Sequence, residues 1–354
     1  MKELEYYVVK SGMQMYDLSR AYGLGYIINK LSNSKSVVKD FGYYYLIENN
    51  GKTEVKNISK LSALTSEDLP WWGPLATIKG NRQSKIKEIK KSIRKKETIK
   101  TLLENYNSPS PPKVKRTEVL YGAMELSAVK GERKEKKAEK YTEGDPFKIP
   151  KLDFLLSVIG HINLTIWKFK KEKNNATIIS ILLTPSVAGI NIGGAGDICS
   201  LKNALERATS IHRCGVLPTL SNVATNLGKL IYEMKHEERL FTPKFSSLIF
   251  GIMVGAGQQM KPNVGGVYPL DLLYKIIDST EKSGEIFDHW VDIFRATNRP
   301  GYEDLALNLS ELITHPSEKT LDSYLRTHLR IFLSKKVRPR LYENEIMKEV
   351  LKNV

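Results

Sequence analysis

At Ser200 the hydrophobic period of this chain changes, and that change limits what its 354 residues can build. Downstream, apolar residues recur at helical spacing around 201–213, 219–236, 244–256, 269–283, 285–297, 302–314 and 318–335, with Pro269, Pro300 and Pro316 among the breaks. Upstream, short β-branched and aromatic runs dominate instead. The expected fold is therefore α+β: a mixed α/β N-terminal half with β-hairpins, then an all-helical C-terminal half forming a helical bundle. The expected domains are 1–199 and 200–354. At this length and 41% hydrophobic content each has enough apolar side chain for a core.

Within the first half, Tyr6-Tyr7-Val8-Val9 reads as a strand. Met15, Leu18, Tyr22, Ile27, Ile28 and Leu31 then form a helical stripe that Gly23 and Gly25 interrupt. Tyr43 to Ile47, Asn50-Gly51 and Thr53 to Val55 predict a hairpin, because Asn-Gly supplies the positive φ angles of a type I′ turn. A second hairpin is expected from Ile162 to Phe169, a turn at Lys173-Asn174-Asn175, and Ala176 to Leu183. Val119 to Val129 reads as a further strand, and Ala188 to Gly196 as a glycine-rich connection. The longest apolar stretch, Phe245 to Ala256, falls short of the roughly 18–20 residues that span a bilayer, so it is expected to be a buried helix and no membrane partner is expected. The N-terminus has no signal-peptide pattern, and two cysteines, Cys199 and Cys214, fit a reducing cytosol; a cytoplasmic protein is expected.

Charge is unevenly placed. From Lys79 to Lys140 there are 19 Lys and Arg against 8 Asp and Glu, a net +11 of the chain's +16. Residues 201–354 hold 21 positive and 18 negative side chains, only +3. The N-terminal domain therefore carries a basic segment at 79–140 that reads as a surface for a polyanion. From Arg82 to Tyr106 the pattern is helical, with Ile86, Ile89 and Ile93 as a narrow apolar line. Lys79, Arg82, Lys85, Lys87, Lys90, Lys91 and Arg94 crowd the remaining surface, and only Glu88 and Glu97 oppose them. Like charges packed this closely repel unless a polyanion neutralises them, and a nucleic-acid backbone does so by releasing its counterions. The plainer reading is a solvated charge run. The apolar line is too narrow to insert into a membrane surface.

The catalytic inventory is thin. No two of the six histidines stand at i, i+4, and the His-Glu-x-x-His pattern is absent. Cys199, His212 and Cys214 are irregularly spaced for zinc and read as small core thiols beside a helix-surface histidine. Neither Gly189 to Gly196 nor Gly251 to Gly257 carries Gly-Lys-Ser/Thr, so a P-loop is excluded and no cofactor is expected. Gly193 to Gly196 precede a helix, so Asp197 or the N–H groups there read as a cap or an anion nest, with an ordinary capped helix start as the plainer reading. The aromatic pair Trp71-Trp72 reads as a core anchor or a stacking surface. In the segment Val254 to Gly266, glycines let backbone lie close to a groove, while Gln258, Gln259, Lys261 and Asn263 offer groups that address base edges and phosphates. A tight connector between two helices has the same composition.

Three stretches together carry a resemblance. They are Tyr16-Asp17-Leu18-Ser19-Arg20-Ala21-Tyr22-Gly23-Leu24-Gly25, the glycine-rich centre, and Tyr324-Leu325-Arg326-Thr327-His328-Leu329-Arg330. With them, the chain resembles the large subunit of archaeal CRISPR type I-A surveillance (Cascade) complexes. That resemblance implies a non-enzymatic subunit at the crRNA 5′ end. Such a subunit recognises the protospacer-adjacent motif in target double-stranded DNA, aids strand opening and helps recruit the helicase-nuclease. It also implies contacts with the CRISPR backbone, the crRNA 5′-end-binding subunit and the small subunits. Gln258, Gln259, Lys261 and Asn263 match the family's motif-reading loop in residue type. The alternatives are a metal-dependent nuclease assembled from separated carboxylates and histidines, and an RNA-binding ribonucleoprotein scaffold.

Overall fold

The structure is a computed structural model that describes residues 4–51, 61, 91–110, 116–119, 148–172, 175–194, 197–209, 214–235, 244–256 and 259–334. The chain divides into two compact units, Met1–Asn203 with Ile249–Val267, and Ala204–Leu248 with Tyr268–Val354. The fold is α+β, with helices concentrated in the C-terminal part.

The first unit opens with β1 (Leu4–Val9), α1 (Gln14–Ser32), β2 (Ser36–Asp40) and β3 (Tyr44–Asn49). β3 runs antiparallel between β1 and β2, a split β-α-β arrangement, and β8 (Ile190–Ile192) extends the sheet beyond β2. Alternation sets its two faces. Tyr6, Val8, Val38, Tyr45, Ile47, Ile190 and Ile192 are buried, while Glu5, Tyr7, Val37, Lys39, Tyr44 and Glu48 alternate with them on the other face. Both edges of β3 are occupied over Tyr44–Asn49, so the strand predicted around Tyr43 to Ile47 makes its hairpin with β2 through residues 41–43. Asn50-Gly51 plays a different part: Gly51 N donates to Asn49 Oδ1 at 2.9 Å, a local side-chain turn. The proposed return strand Thr53 to Val55 lies outside the described residues.

After α2 (Lys96–Asn105), β4 (Arg116–Val119) and β5 (Lys148–Pro150) form a small antiparallel pair. Of the strand expected over Val119 to Val129, only Val119 falls within the described residues. α3 (Lys151–Leu164) packs against α1. Glycine permits the close approach. A methyl at Gly23 would stand 2.0 Å from the Leu156 carbonyl oxygen, and one at Gly160 would stand 1.9 Å from that of Ser19. Of the two glycines that interrupt the helical stripe, Gly23 is thus the contact with α3, while Gly25 faces Ile192 and Val38 of the first sheet.

β6 (Ile166–Glu172) and β7 (Asn175–Pro185) form the second predicted hairpin, except that residues 162–164 end α3. Their sheet continues into β9 (Phe245–Ala256) and β10 (Gln259–Pro269), in the order β10-β9-β7-β6. This corrects two expectations. The apolar run from Phe245 to Ala256 is a strand, not a helix, and the C-terminal half is not all-helical. In β9 both Leu248 and Ile252 on one parity and Ile249 and Met253 on the other are buried. A strand covered on both faces gives a continuous apolar run that periodicity cannot distinguish from a buried helix. Tyr22 of α1 donates a hydrogen bond to the Leu183 carbonyl of β7, tying the helix to this second sheet.

α4 (Ile198–Ala208) follows residues 193–197, where Asp197 Oδ1 accepts from Gly193 N at 2.8 Å and the Asp197 carbonyl accepts from Ser200 and Leu201 N. In the second unit, α5 (Val216–Lys235), α6 (Asp271–Ser279), α7 (Ser283–Arg295), α8 (Tyr302–Thr314) and α9 (Glu318–Ser334) form the helical bundle. Phe287, Trp290, Phe294, Leu309 and Tyr324 are buried there. Each such apolar side chain contributes about 1.5–3 kcal/mol against exposure. Gly228 of α5 lies under the Phe287 ring, 3.1 Å from a methyl's position.

Candidate nucleic-acid interface

Of the seven basic positions predicted to meet a polyanion, Lys91 and Arg94 are described and both are exposed. Lys79, Arg82, Lys85, Lys87 and Lys90 lie outside the described residues, as do Trp71-Trp72. The single helix expected through this region is interrupted. Residues 91–93 are helical, Lys95 is extended with φ −85° and ψ 120°, and α2 restarts at Lys96. Of the expected apolar line, Ile93 is fully buried and Ile86 and Ile89 lie outside the described residues; Ile99 and Leu102 on α2 are fully buried as well. Against that line, Lys91, Arg94, Lys95, Lys96 and Lys100 all stand exposed, with Glu97 and Glu104 as the nearby acids in sequence. Lys100 and Glu104 approach only to 3.9 Å, a solvated i, i+4 pair. Such a pair is worth roughly 0.3–0.5 kcal/mol and does not cancel the local positive field.

The end of α2 is fastened to the core by Tyr106. Its hydroxyl donates to Asp153 Oδ1, and its carbonyl accepts from Tyr7 N at 2.7 Å on the outer edge of β1. Asp153 belongs to a buried charge network. Arg20 Nη1 donates to Asp153 Oδ2 at 2.9 Å, and Arg20 Nη2 donates to Asp17 Oδ1 and the Val9 carbonyl, each at 2.7 Å. One guanidinium faces two carboxylates, and neutral donors satisfy the surplus negative charge. Ser11 N and Oγ and Gly12 N serve Asp17, and Tyr16 and Tyr106 serve Asp153. Burial opposes charge on Arg20, but the surrounding Tyr16, Asp153, Tyr106 and Asp17 outweigh it and raise its pKa above the ordinary arginine value. The network joins the end of β1, α1, α3 and the end of α2, which gives it a positioning role.

The predicted motif-reading segment is not a connector between helices. Gln259, Lys261 and Asn263 lie on β10, the edge strand of the second sheet, and Asn263 is exposed. Gln258 lies outside the described residues. An edge strand with its partner on one side presents one free row of backbone groups, and alternation sends neighbouring side chains to opposite faces. Lys91 and Arg94 precede α2, whereas Gln259, Lys261 and Asn263 lie on β10.

Other chemistry is limited. Cys199 and Cys214 are not joined in a disulfide, and burial together with Asp197 pushes the Cys199 thiol up to about 12, far from a reactive thiolate. His289 and His328, 39 residues apart, meet across α7 and α9 with their Nε2 atoms 3.2 Å apart. Sequence spacing gives no sign of that pair. Among the described residues no group of three or more His, Cys, Asp or Glu is placed to hold a metal ion, and no helix is long and apolar enough to cross a membrane.

The fold and these surfaces define an α+β protein with an exposed cationic segment anchored to a buried Arg–Asp network. No protein-family model matches the chain. It is 37% identical over 353 residues to an uncharacterized protein of Archaeoglobus fulgidus, an alignment covering 98% of this chain and 97% of that protein, and it belongs to the same family.

Proposed function

We propose that this chain is a non-catalytic, nucleic-acid-binding large subunit of a crRNA-guided DNA-surveillance complex in the cytosol. The observation that carries the reading is the row of exposed cations Lys91, Arg94, Lys95, Lys96 and Lys100, fastened to the core through Tyr106. In such a complex guide pairing supplies the sequence information, and the protein needs cationic surface for backbones and a few polar groups for a short duplex element. The basic segment takes the phosphate contacts. Gln258, Gln259, Lys261 and Asn263, around and on β10, take the motif duplex. The partners are crRNA, target double-stranded DNA, the backbone, crRNA 5′-end-binding and small subunits, and a helicase-nuclease.

Affinity purification of the chain from its native host, with sequencing of co-purifying small RNA and identification of co-purifying proteins, tests this. Guide RNAs together with several further subunits are the expected result. Recovery free of RNA, or magnesium- or manganese-dependent DNA cleavage by the purified chain, overturns it.

A further inference from the structure

Two histidines meet inside the helical bundle, and phosphate contact by the basic segment makes no use of them. His289 of α7 and His328 of α9 bring their Nε2 atoms within 3.2 Å, with ring centroids 5.3 Å apart and planes at 71°. Without an ion the contact is an N–H···N hydrogen bond, in which one neutral imidazole donates and the other accepts. The surroundings hold both residues in place. His328 is 4% exposed and lies against Tyr324, one turn earlier, with ring centroids 5.8 Å apart. Its neighbour Thr327 accepts through Oγ1 from Asn308 Nδ2 of α8 at 2.8 Å, and Asn308 Oδ1 accepts from Ser323 Oγ at 3.2 Å. His289 is half-buried and precedes Trp290, which is fully buried. The pair thus stands on two anchored helices, with one member that solvent reaches.

From this geometry we infer that His289 and His328 are the protein ligands of a divalent transition-metal ion of the zinc class, which clips α7 to α9. The inference is independent of the nucleic-acid reading. Donor type selects the ion: imidazole nitrogen suits zinc, copper and nickel, whereas magnesium and calcium take oxygen ligands. Spacing agrees. Two nitrogens bonded at ~2.0–2.1 Å to one tetrahedral ion stand about 3.3–3.4 Å apart, so the pair closes on an ion with only a small side-chain shift. On binding, the donating ring moves its proton from Nε2 to Nδ1, which leaves both Nε2 lone pairs for the metal with no net loss of protons. Carboxylates on these helices face cations instead: Asp288 meets Lys229 at 2.5 Å, Asp322 meets Arg326 at 2.8 Å, and Asp304 of α8 meets Arg330 at 3.3 Å. Water therefore completes the coordination. The ion joins points 39 residues apart in the chain, and it favours the folded state because the unfolded chain does not hold the two rings together.

Zinc chloride and copper sulfate are the probes, added to the full chain after removal of metals by a chelator. Calorimetric titration of the parent is expected to show one zinc ion per chain, and zinc is expected to raise its thermal midpoint. His289→Ala and His328→Gln are each expected to bind zinc about tenfold more weakly or worse and to lose that rise. Circular dichroism without metal checks that each variant folds; His289 is half-buried, so its variant decides the matter should His328→Gln unfold. Electron paramagnetic resonance of the copper-loaded parent gives a second reading that needs no variant to fold, with coupling to two imidazole nitrogens expected. Zinc binding by folded His289→Ala within about twofold of the parent overturns the site. So does a parent whose midpoint zinc leaves unmoved, or a copper spectrum without nitrogen coupling; the pair is then a hydrogen bond only. None of these outcomes bears on the proposed function.

Discussion

The hydroxyl of Tyr106 donates to the buried carboxylate of Asp153, 47 residues away, and that bond joins the cationic segment to the charge network under α1. Asp153 also balances Arg20, so the two ends of the relationship fail differently. Asp153→Ala leaves a buried guanidinium short of one partner and is expected to cost about 3–5 kcal/mol. Tyr106→Phe removes one hydrogen bond to a charged group and is expected to cost about 1.5–3 kcal/mol. Urea denaturation followed by circular dichroism measures both. A loss below about 1 kcal/mol for Asp153→Ala would show that the network does not hold this unit together. Hydrogen exchange over α2 is expected to accelerate in Tyr106→Phe more than exchange over α1.

Gly23 and Gly160 are expected to reject even alanine. Each added methyl points at backbone oxygen 2.0 Å or less away, and backbone cannot rotate aside as a side chain can. Separating α1 from α3 to relieve the collision also disturbs the Arg20–Asp153 pair. Gly23→Ala and Gly160→Ala are each expected to destabilise by about 1–3 kcal/mol or more, although alanine is the better helix former by about 1 kcal/mol. A rise in thermal midpoint for either variant contradicts the close approach.

How far the sequence revealed this fold depended on whether each signal was local. The β6–β7 hairpin was legible because β-branched residues flank a short polar turn, and α1 because its stripe persists through two glycines. β9 was not legible, since a strand buried on both faces loses the alternation that would mark it. The pairing of β3 was missed for another reason. Asn50-Gly51 carries the chemistry of a hairpin turn, but β3 already has β1 on one side and β2 on the other. Arg20 stood within the stretch that carried the family resemblance, yet its partner Asp153 lies 133 residues on and nothing local announces it. The exposed aromatic residues of the β2–β3 turn were equally hidden. Phe41, Tyr43 and Tyr44 sit together in sequence, but only the fold shows which rings face outward.

The cationic segment is expected to act through charge number. Reversing Lys91, Arg94, Lys95 and Lys96 to Glu takes away four of the exposed cations to which the proposed function assigns phosphate contacts. On duplex DNA each phosphate left without its cation reduces the slope of log K against log salt by about 0.9. Binding is therefore expected to weaken on every sequence alike and to flatten with salt. Anisotropy titrations from low to moderate salt read both quantities. Unchanged affinity at low salt removes the segment from the interface.

His161 is expected to set part of the acid limit of stability. It is fully buried on α3, where its Nδ1 lies 3.3 Å from Ser19 Oγ and 3.1 Å from Thr165 Oγ1, and its ring meets Trp167 edge-on. Burial pushes its pKa from 6.5 down to about 3, so the folded protein holds it neutral while the unfolded chain binds a proton at 6.5. Between these values the unfolded state carries more protons, and stability falls as pH falls through that window. Above 6.5 the group exerts no pull, and below 3 the loss is complete. The slope is about 1.4 kcal/mol per pH unit. His161→Gln cannot take up that proton, so it is expected to be less stable near neutrality but to lose stability less steeply from about pH 6 to about pH 4. Urea midpoints measured across that range test this. Parallel acid limbs for the parent and the variant would show that His161 does not titrate with unfolding.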